Sequence, residues 1–125
     1  MSIEVEYDRT SLAVNDTVNA TVTLTNNTTG SLMMVLVDLG LPPGFDLMTE
    51  DLDDLVSSGV IRRYERAGRQ LILYFDEISA GPPVVFSYRL VARNPMRGEA
   101  PPATVYLYYT PTVRTTSEPV ELEVE

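Results

Sequence analysis

The strongest constraint on what this chain can fold into is an alternation of apolar and polar residues that recurs along its length. In residues 18–25, Val, Ala, Val and Leu alternate with Asn and Thr, and residues 3–8 and 120–125 repeat the pattern with acidic residues on the polar side. Successive side chains of a β-strand point to opposite faces. This period of two therefore predicts strands with one buried and one solvated face.

Short stretches rich in Gly, Pro, Asn and Thr separate the apolar segments, and these are typical turn residues. Residues 31–39 are apolar almost throughout, as in a central strand covered on both faces. The pair Ala67–Gly68 predicts a two-residue hairpin turn. Residues 93–102 indicate a loop, and residues 103–109 a further strand. Roughly eight or nine short antiparallel strands separated by turns predict an all-β, immunoglobulin-like sandwich.

One segment, residues 49–57, breaks the strand pattern and predicts a short α-helix. Its apolar residues recur at helical spacing and form one stripe; they are Met48, Leu52, Leu55 and Val56. Thr49 is the expected N-cap, and Gly59 is expected to end the helix in the left-handed conformation. A helix this short is unstable alone in water, so it must pack on the sandwich.

The length of 125 residues fits a single domain with one core, spanning 1–125. The hydrophobic fraction of 44% is that of a globular domain. No stretch approaches the roughly 20 apolar residues that a membrane-spanning helix needs. We therefore expect no insertion into a membrane.

Charge and missing residue types exclude several functions. A net charge of −9, with no lysine, disfavours nucleic-acid partners because their phosphates would repel the domain. With no His and no Cys, the chain has neither a Ser-His-Asp triad nor a cysteine nucleophile, and it lacks the ordinary ligands of zinc. We expect a protein without enzymatic activity and without a cofactor.

Carboxylates are the remaining candidates for chemistry, and they cluster on and before the predicted helix. The spacing from Asp46 to Asp54 fails the EF-hand pattern, since Leu55 stands where a ligand is required and no Gly marks the sharp turn. A less regular calcium site that includes Asp76 or Glu77 remains open. A glycosidase pair needs two carboxyl groups across a cleft, which one helix face does not provide.

The helix and the hairpin after it carry the charged residues that we select as a candidate protein-contact surface. These residues are Glu50, Asp51, Asp53, Asp54, Arg62, Arg63 and Arg66. The simpler interpretation is that the hairpin arginines form ion pairs with the acidic helix. Exposed pairs of this kind contribute little stability.

The segment GLPPGFDLMTEDLDDLVSSGVIRRYERAGRQLILYFDEI, residues 40–78, is similar to the C-terminal receptor-binding domain of the alpha-macroglobulin family. The shared pattern is an apolar strand, Pro-Gly-Phe, a short helix, a hairpin with Gly68, and Leu-Ile-Leu-Tyr-Phe-Asp. The stretch PPATVYLYYTP, residues 101–111, resembles that family's final strand. The resemblance runs in register from Ser31 to the C-terminus and more loosely over the first two strands. It refines the fold to a macroglobulin-type sandwich.

The resemblance implies a non-catalytic domain from the C-terminal end of a much larger, extracellular or cell-envelope protease inhibitor. Its partners would be the thioester and macroglobulin domains of its own parent chain, and a trapped protease indirectly. The family's Gly-Cys-Gly-Glu-Gln thioester motif lies in a different domain, in keeping with the absence of cysteine here. In vertebrate members this domain also docks on a clearance receptor.

The vertebrate receptor contact resembles a task for lysines on the helix, which suit acidic receptor modules. The aligned residues here are Thr49 and Asp53, with acidic neighbours. Because this helix has the opposite charge, the same receptor would be repelled. We therefore do not expect binding to a clearance receptor of that kind.

The alternative from a different class is a stand-alone adhesive or carbohydrate-binding module of a bacterial surface protein. It predicts a shallow, exposed strip of tyrosines that includes Tyr74, Tyr106 and Tyr108. Tyrosine is also common on half-buried sheet faces for structural reasons. Exposure of these rings, together with binding to a glycan array, distinguishes the two interpretations.

Overall fold

The computed structural model describes residues 1–125, the whole chain, and contains twelve β-strands and one α-helix. The elements are β1 (Ser2–Tyr7), β2 (Ser11–Leu12), β3 (Thr17–Thr25), β4 (Leu32–Gly40), β5 (Phe45–Leu47), α1 (Thr49–Ser57), β6 (Arg63–Ala67), β7 (Gln70–Ile78), β8 (Val84–Ala92), β9 (Met96–Ala100), β10 (Thr104–Leu107), β11 (Thr110–Thr116) and β12 (Val120–Val124). No helix has the length and hydrophobicity needed to cross a membrane.

Two large antiparallel sheets pack face to face, which confirms the predicted sandwich. One has the order β1-β3-β8-β5, the other the order β11-β10-β4-β7-β6. Their inner faces share a single hydrophobic core, and the rings of Phe75 (β7) and Phe86 (β8) meet in it with centroids 5.9 Å apart. A third, smaller sheet of order β2-β12-β9 includes one parallel pair, between β2 and β12.

The central strand β4 confirms the prediction for residues 31–39 within one residue at each end. It lies between β10 and β7, and Val35, Val37 and Leu39 point into the core. A positive φ of 52° at Met34 marks an irregularity near its start, where the pairing with β7 skips that residue. The strand is buried because both neighbours and the opposite sheet cover it.

The strand count of eight or nine was too low, for three physical reasons. The strands β2 and β5 are two and three residues long, too short to show a period. Residues 93–102, predicted as a loop, contain β9, which pairs with β12 despite the prolines that flank it. In addition, the predicted strand over 103–109 ends at Leu107. A turn at Tyr108–Tyr109 then starts β11, and neither tyrosine is a residue that signals a turn.

The predicted hairpin between β6 and β7 is present, but its turn lies one residue later than expected. Ala67 pairs with Gln70, so the two turn residues are Gly68 and Arg69. Gly68 has a φ of 60° and Arg69 does not have a positive φ. This arrangement needs glycine at the first turn position, as in a type II′ turn.

The helix α1 has the predicted bounds, but its N-cap is wrong. Met48 occupies the N-cap position without a side-chain hydrogen bond to the helix, and Thr49 is the first helical residue. The start is instead held by the adjoining strand, because the Met48 N–H donates to the Arg89 carbonyl at 3.1 Å. At the other end Gly59 has a φ of 80°, which confirms the predicted left-handed stop.

Candidate interaction surfaces

The helix α1 closes one open side of the sandwich. It connects β5, the edge of the four-stranded sheet, to β6, the edge of the five-stranded sheet. Leu52 is completely buried and is the only helical residue in the core, while Leu55 packs against it from a half-exposed position. Two sheet edges would otherwise leave apolar side chains open to water at this side. The helix therefore has a structural role whatever else it does.

Asp51 binds the helix to β8. Its Oδ2 accepts the Arg89 backbone N–H at 2.8 Å and Nε at 2.9 Å, and its Oδ1 accepts Nη2 at 2.8 Å. The Asp51 side chain is only 15% exposed. These hydrogen bonds to Arg89 lower the pKa of Asp51 below its ordinary value and raise the pKa of Arg89.

Asp53 binds the same helix to the other sheet. Its Oδ1 accepts the Tyr64 hydroxyl of β6 at 2.6 Å, and this bond raises the pKa of Tyr64. Glu50 and Asp54 are exposed and make no side-chain hydrogen bond or ion pair. Of the four acidic helix residues selected from the sequence, two therefore hold the helix in place and two are free.

The hairpin arginines do not pair with the acidic helix, so the simpler interpretation drawn from the sequence was wrong. Arg62 pairs with Asp76 of β7 at 2.8 Å, and Arg63 pairs with Glu65 of its own strand at 2.7 Å. Arg66 is exposed and has no ion pair within the chain. Arg62 and Arg63 are thus paired with carboxylates of their own sheet. The helix carboxylate of Asp51 is paired with Arg89 on β8.

The structure assembles one group that the sequence did not reveal, a row of five residues across the outer face of the five-stranded sheet. Cross-strand pairing sets Arg114 beside Tyr106, Tyr106 beside Leu36, Leu36 beside Tyr74, and Tyr74 beside Arg63. We call it the Arg–Tyr–Leu row. Its two guanidinium groups lie over the adjacent tyrosine rings, at 4.0 Å for Arg63 on Tyr74 and 5.6 Å for Arg114 on Tyr106.

The centre of the row is unusually well covered for a solvent-facing position. Leu36 is 5% exposed but does not belong to the core between the sheets. The half-buried rings of Tyr74 and Tyr106 stand on either side of it. Period-two spacing places each side chain on a face of its own strand, but only the order and register of five strands put them in one line.

Two charged groups near the row have no ionic partner. Asp38, two residues after Leu36 on the same face, accepts only the Gln70 side-chain amide at 3.1 Å, and partial burial raises its pKa. Arg114 donates its Nε to the Pro111 carbonyl at 2.9 Å and forms no ion pair. The other charges of this face pair with one another, as described for Arg62 and Arg63.

The tyrosines of the β10–β11 turn extend this face. Tyr108 and Tyr109 pack edge to face with centroids 5.0 Å apart, and Tyr109 is 76% exposed. They line an open depression of about 520 Å³ together with Met34, Tyr74, Arg62 and Arg63. The tyrosine strip expected for a carbohydrate-binding module is thus divided, since Tyr108 is exposed but Tyr74 and Tyr106 are half-buried.

No group of three or more acidic side chains converges closely enough to hold a metal ion. Asp46, the first carboxylate of the cluster noted in the sequence, pairs instead with Arg93 at 3.0 Å. No buried side-chain nitrogen or oxygen lacks a hydrogen-bond partner. The polar groups thus serve to join elements of the fold or to face solvent.

Two antiparallel sheets, with a short helix closing the side between their edges, define the chain as an all-β sandwich of the immunoglobulin-like and macroglobulin type. The family model described as A-macroglobulin receptor binding domain matches residues 30–119. This chain belongs to that family. Among curated proteins, no sequence match was found.

Solved structures that are similar in fold include bacterial alpha-2-macroglobulins. The native Escherichia coli protein, from domain MG7 to the C-terminus, superposes with a TM-score of 0.79 at 18% identity, over 98% of this chain and 23% of its own. The trypsin-activated Escherichia coli protein gives a TM-score of 0.77 at 20% identity, over 98% and 10%. The methylamine-reacted Salmonella protein gives 0.74 at 20%, over 98% and 9%. The chain thus spans less than a quarter of these proteins.

Proposed function

We propose that this chain is a non-catalytic domain from the C-terminal end of an alpha-macroglobulin-type protease trap, and that it acts by packing against other domains of its parent. The observation that carries the proposal is the family match over residues 30–119. The fold shared over 98% of the chain with alpha-2-macroglobulins that are several times longer supports it.

The chemistry of the side chains supports a role without catalysis. Of the carboxylates on and before α1, Asp46, Asp51 and Asp53 are each bound by an arginine or a tyrosine of the same domain. A glycosidase-type pair of general acid and base needs two carboxyl groups across a cleft, where substrate can lie between them. Here the partners are structural and the carboxylates point toward them.

The contact surface selected from the sequence remains a proposal, and the structure sharpens which of its members are available. Glu50 and Asp54 are exposed and free on α1, and Arg66 is exposed and free on β6. Asp51, Asp53, Arg62 and Arg63 are already engaged within the chain. A partner at the helix would therefore meet Glu50 and Asp54 first and would present a basic group to them.

We place the parent protein outside the cytoplasm, in the cell envelope or the extracellular space. The bacterial alpha-2-macroglobulins that share this fold support the assignment. Proteases that a trap intercepts are met in those compartments. A thioester, if the parent has one, would lie in another domain, because this chain contains no cysteine.

The deciding experiment recovers the native protein from its source with an antibody to this domain and measures intact mass and peptide sequence. A chain many times larger, with a Gly-Cys-Gly-Glu-Gln peptide upstream, is the expected result. A large chain with macroglobulin domains but no thioester would make the trap purely mechanical. A small chain, or an array of repeated sandwiches, would overturn the proposal.

A carbohydrate-binding module is a second candidate, favoured by the exposed Tyr108–Tyr109 pair beside the depression on the outer face. Aromatic rings that stand free in solvent are a common platform for sugar faces. A glycan array with the wild-type chain, and with Tyr109→Ala as the control, tests it. Binding that the substitution abolishes would support this candidate, and a clean negative array would eliminate it.

A further inference from the structure

The outer faces of the two large sheets differ in chemistry, although both point away from the shared core. The four-stranded sheet presents hydroxyl and carboxylate groups, such as Glu4 and Glu6 on β1 and the Thr21–Ser87 pair, which is hydrogen-bonded at 3.0 Å. That composition is ordinary for a sheet face that meets water. The five-stranded sheet presents the Arg–Tyr–Leu row, with Ile72 and Met34 beside it. The domain therefore contains its own example of a solvated face, and the Arg–Tyr–Leu face does not match it.

The charge of the second face is also unlike the rest of the molecule. The chain as a whole has a net charge of −9. On the five-stranded sheet the charges largely cancel, because Arg62 pairs with Asp76 and Arg63 with Glu65. Depletion of unpaired charge, with tyrosine and arginine enriched, is the composition of the centre of a protein–protein interface. It is not what solubility alone would select on a strongly acidic domain.

The dimensions of the face limit what can occupy it. Five strands spaced about 4.8 Å apart give a width of roughly 19 Å, and about six residues of strand give a similar length. The resulting patch of roughly 400 Å² suits one side of an interface between domains of a single chain, where both sides together bury about 600–1,500 Å². A small ligand needs a concave pocket that covers most of its surface. A stable dimer needs about 800 Å² from each partner.

Electrostatics disfavour a second copy and define the partner further. Two copies with a net charge of −9 each would repel one another on approach. The two charged groups of this face that lack an ionic partner are Asp38, held only by the Gln70 amide, and Arg114 at the end of the row. A complementary surface would bring a basic group to Asp38 and a carboxylate to Arg114. Over Leu36 and Ile72 it would be apolar.

The geometry points to the outer face of the five-stranded sheet, centred on the Arg–Tyr–Leu row, as a docking face for a neighbouring domain of the parent chain. The neighbouring domain presents a largely apolar surface, with one basic group opposite Asp38 and one carboxylate opposite Arg114. The inference rests on the proposed function, because it requires a parent chain with further domains. It adds a surface distinct from the acidic helix and independent of α1.

Hydroxyl-radical footprinting of the intact native parent, read by mass spectrometry, tests the docking face. The reference is the 125-residue chain alone, in which the rings of the row are open to solvent on one side. We expect Tyr74 and Tyr106 to be oxidised at least about threefold more slowly in the parent, because docking removes the interface centre from water. Val85, 57% exposed on the other sheet, should react equally in both.

A matched pair of substitutions in the parent links the protection to this face. Ile72→Lys places a charge beside the row, and Val85→Lys places the same charge at an outward position of β8 in the other sheet. Ile72→Lys should return Tyr74 and Tyr106 to the rates of the 125-residue chain, whereas Val85→Lys should leave them protected. If either variant fails to fold, the oxidation rates of the wild-type parent and the wild-type 125-residue chain still test the docking face.

The possible outcomes separate this inference from the proposed function. A large parent in which Tyr74 and Tyr106 react as fast as in the 125-residue chain would overturn the docking face and leave the proposed function intact. A native protein no larger than this chain would overturn both. Protection in the 125-residue chain that grows with its concentration would assign the face to a second copy, and so overturn the partner named here.

Discussion

Asp51 on α1 binds the side chain and the main chain of the same residue, Arg89 on β8. One carboxylate oxygen accepts both Nε and the backbone N–H, and the other accepts Nη2, all within 2.9 Å. The Arg89 main chain is thus bonded twice, because its N–H donates to Asp51 and its carbonyl accepts the Met48 N–H. The helix is therefore fixed to the residue beside which β5 ends, which sets both its position and its direction.

Loss of the Asp51 carboxylate should weaken the domain. We expect Asp51→Asn to lower the free energy of unfolding by about 1 kcal/mol, since a charge-assisted pair is lost but the half-exposed Arg89 end is screened by water. Urea unfolding followed by circular dichroism measures it. The control is Asp54→Asn on the same helix, where the carboxylate has no partner, and it should cost nothing. Equal losses in both variants would show that the ion pair does not anchor α1.

The contribution of Asp51 should depend on pH in a defined direction. Its pKa in the folded state is lowered, chiefly by the hydrogen bond to Arg89. The unfolded chain therefore binds the proton more tightly, and the stabilisation is fully present above the unfolded pKa of about 3.9. It is lost as the pH falls through the lower folded value. The stability difference between wild type and Asp51→Asn, constant from pH 5 to pH 8, should shrink below about pH 4. A difference that grows in acid would contradict this.

The helix should depend on a single side chain for its packing. Leu52 is fully buried, so Leu52→Ala removes apolar contacts and leaves a cavity, with an expected loss of about 2–5 kcal/mol. Val56, on the same helix but substantially exposed, is the control, and Val56→Ala should cost less than about 1 kcal/mol. Comparable losses would mean that α1 does not close the sandwich through Leu52.

The sequence predicted the sandwich because its strands have chemically different faces. Residues 18–25 bury every apolar side chain that the alternation selected. Segment 31–39 is central because both neighbours bond to it. The helix was predictable in extent, since its stripe and Gly59 are local signals. Its N-cap was not, because Met48 takes that position without a side-chain cap, and its backbone N–H is held by the Arg89 carbonyl of β8, a strand distant in sequence.

The parts that sequence reasoning missed depend on pairing between distant segments. The turn at Tyr108–Tyr109 has no residue that favours a turn, and β10 and β11 define it through their register. The Arg–Tyr–Leu row needs the order of five strands, which no local pattern contains. The ion pair of Arg62 was missed for the same reason. Its partner Asp76 is a neighbour in the sheet, whereas the acidic helix is only a neighbour in sequence.

A buried asparagine should be among the most sensitive polar positions. The Asn26 Nδ2 donates to the Gly30 and Ile78 carbonyls at 2.8 and 2.9 Å, and its Oδ1 accepts from the Thr28 N–H and hydroxyl. Asn26→Asp keeps the acceptor but removes both donors and sets a carboxylate against two carbonyls. We expect a loss of about 2–3 kcal/mol in thermal or urea unfolding. The exposed neighbour is the control, and Asn27→Asp should be close to neutral. A neutral Asn26→Asp would show that the two carbonyls find other donors.

The left-handed residue after α1 should be sensitive for a reason unrelated to space. Gly59 has a φ of 80°, yet a Cβ built there meets no atom within 4 Å. Gly59→Ala should therefore cost about 1 kcal/mol through backbone strain alone. Gly30 has equally open surroundings and no positive φ in that range, so Gly30→Ala should be neutral or stabilise by up to about 1 kcal/mol by restricting the unfolded chain. Because neither variant creates a clash, the difference in their unfolding midpoints isolates the backbone conformation. Indistinguishable midpoints would mean that the helix can end without a left-handed residue at 59.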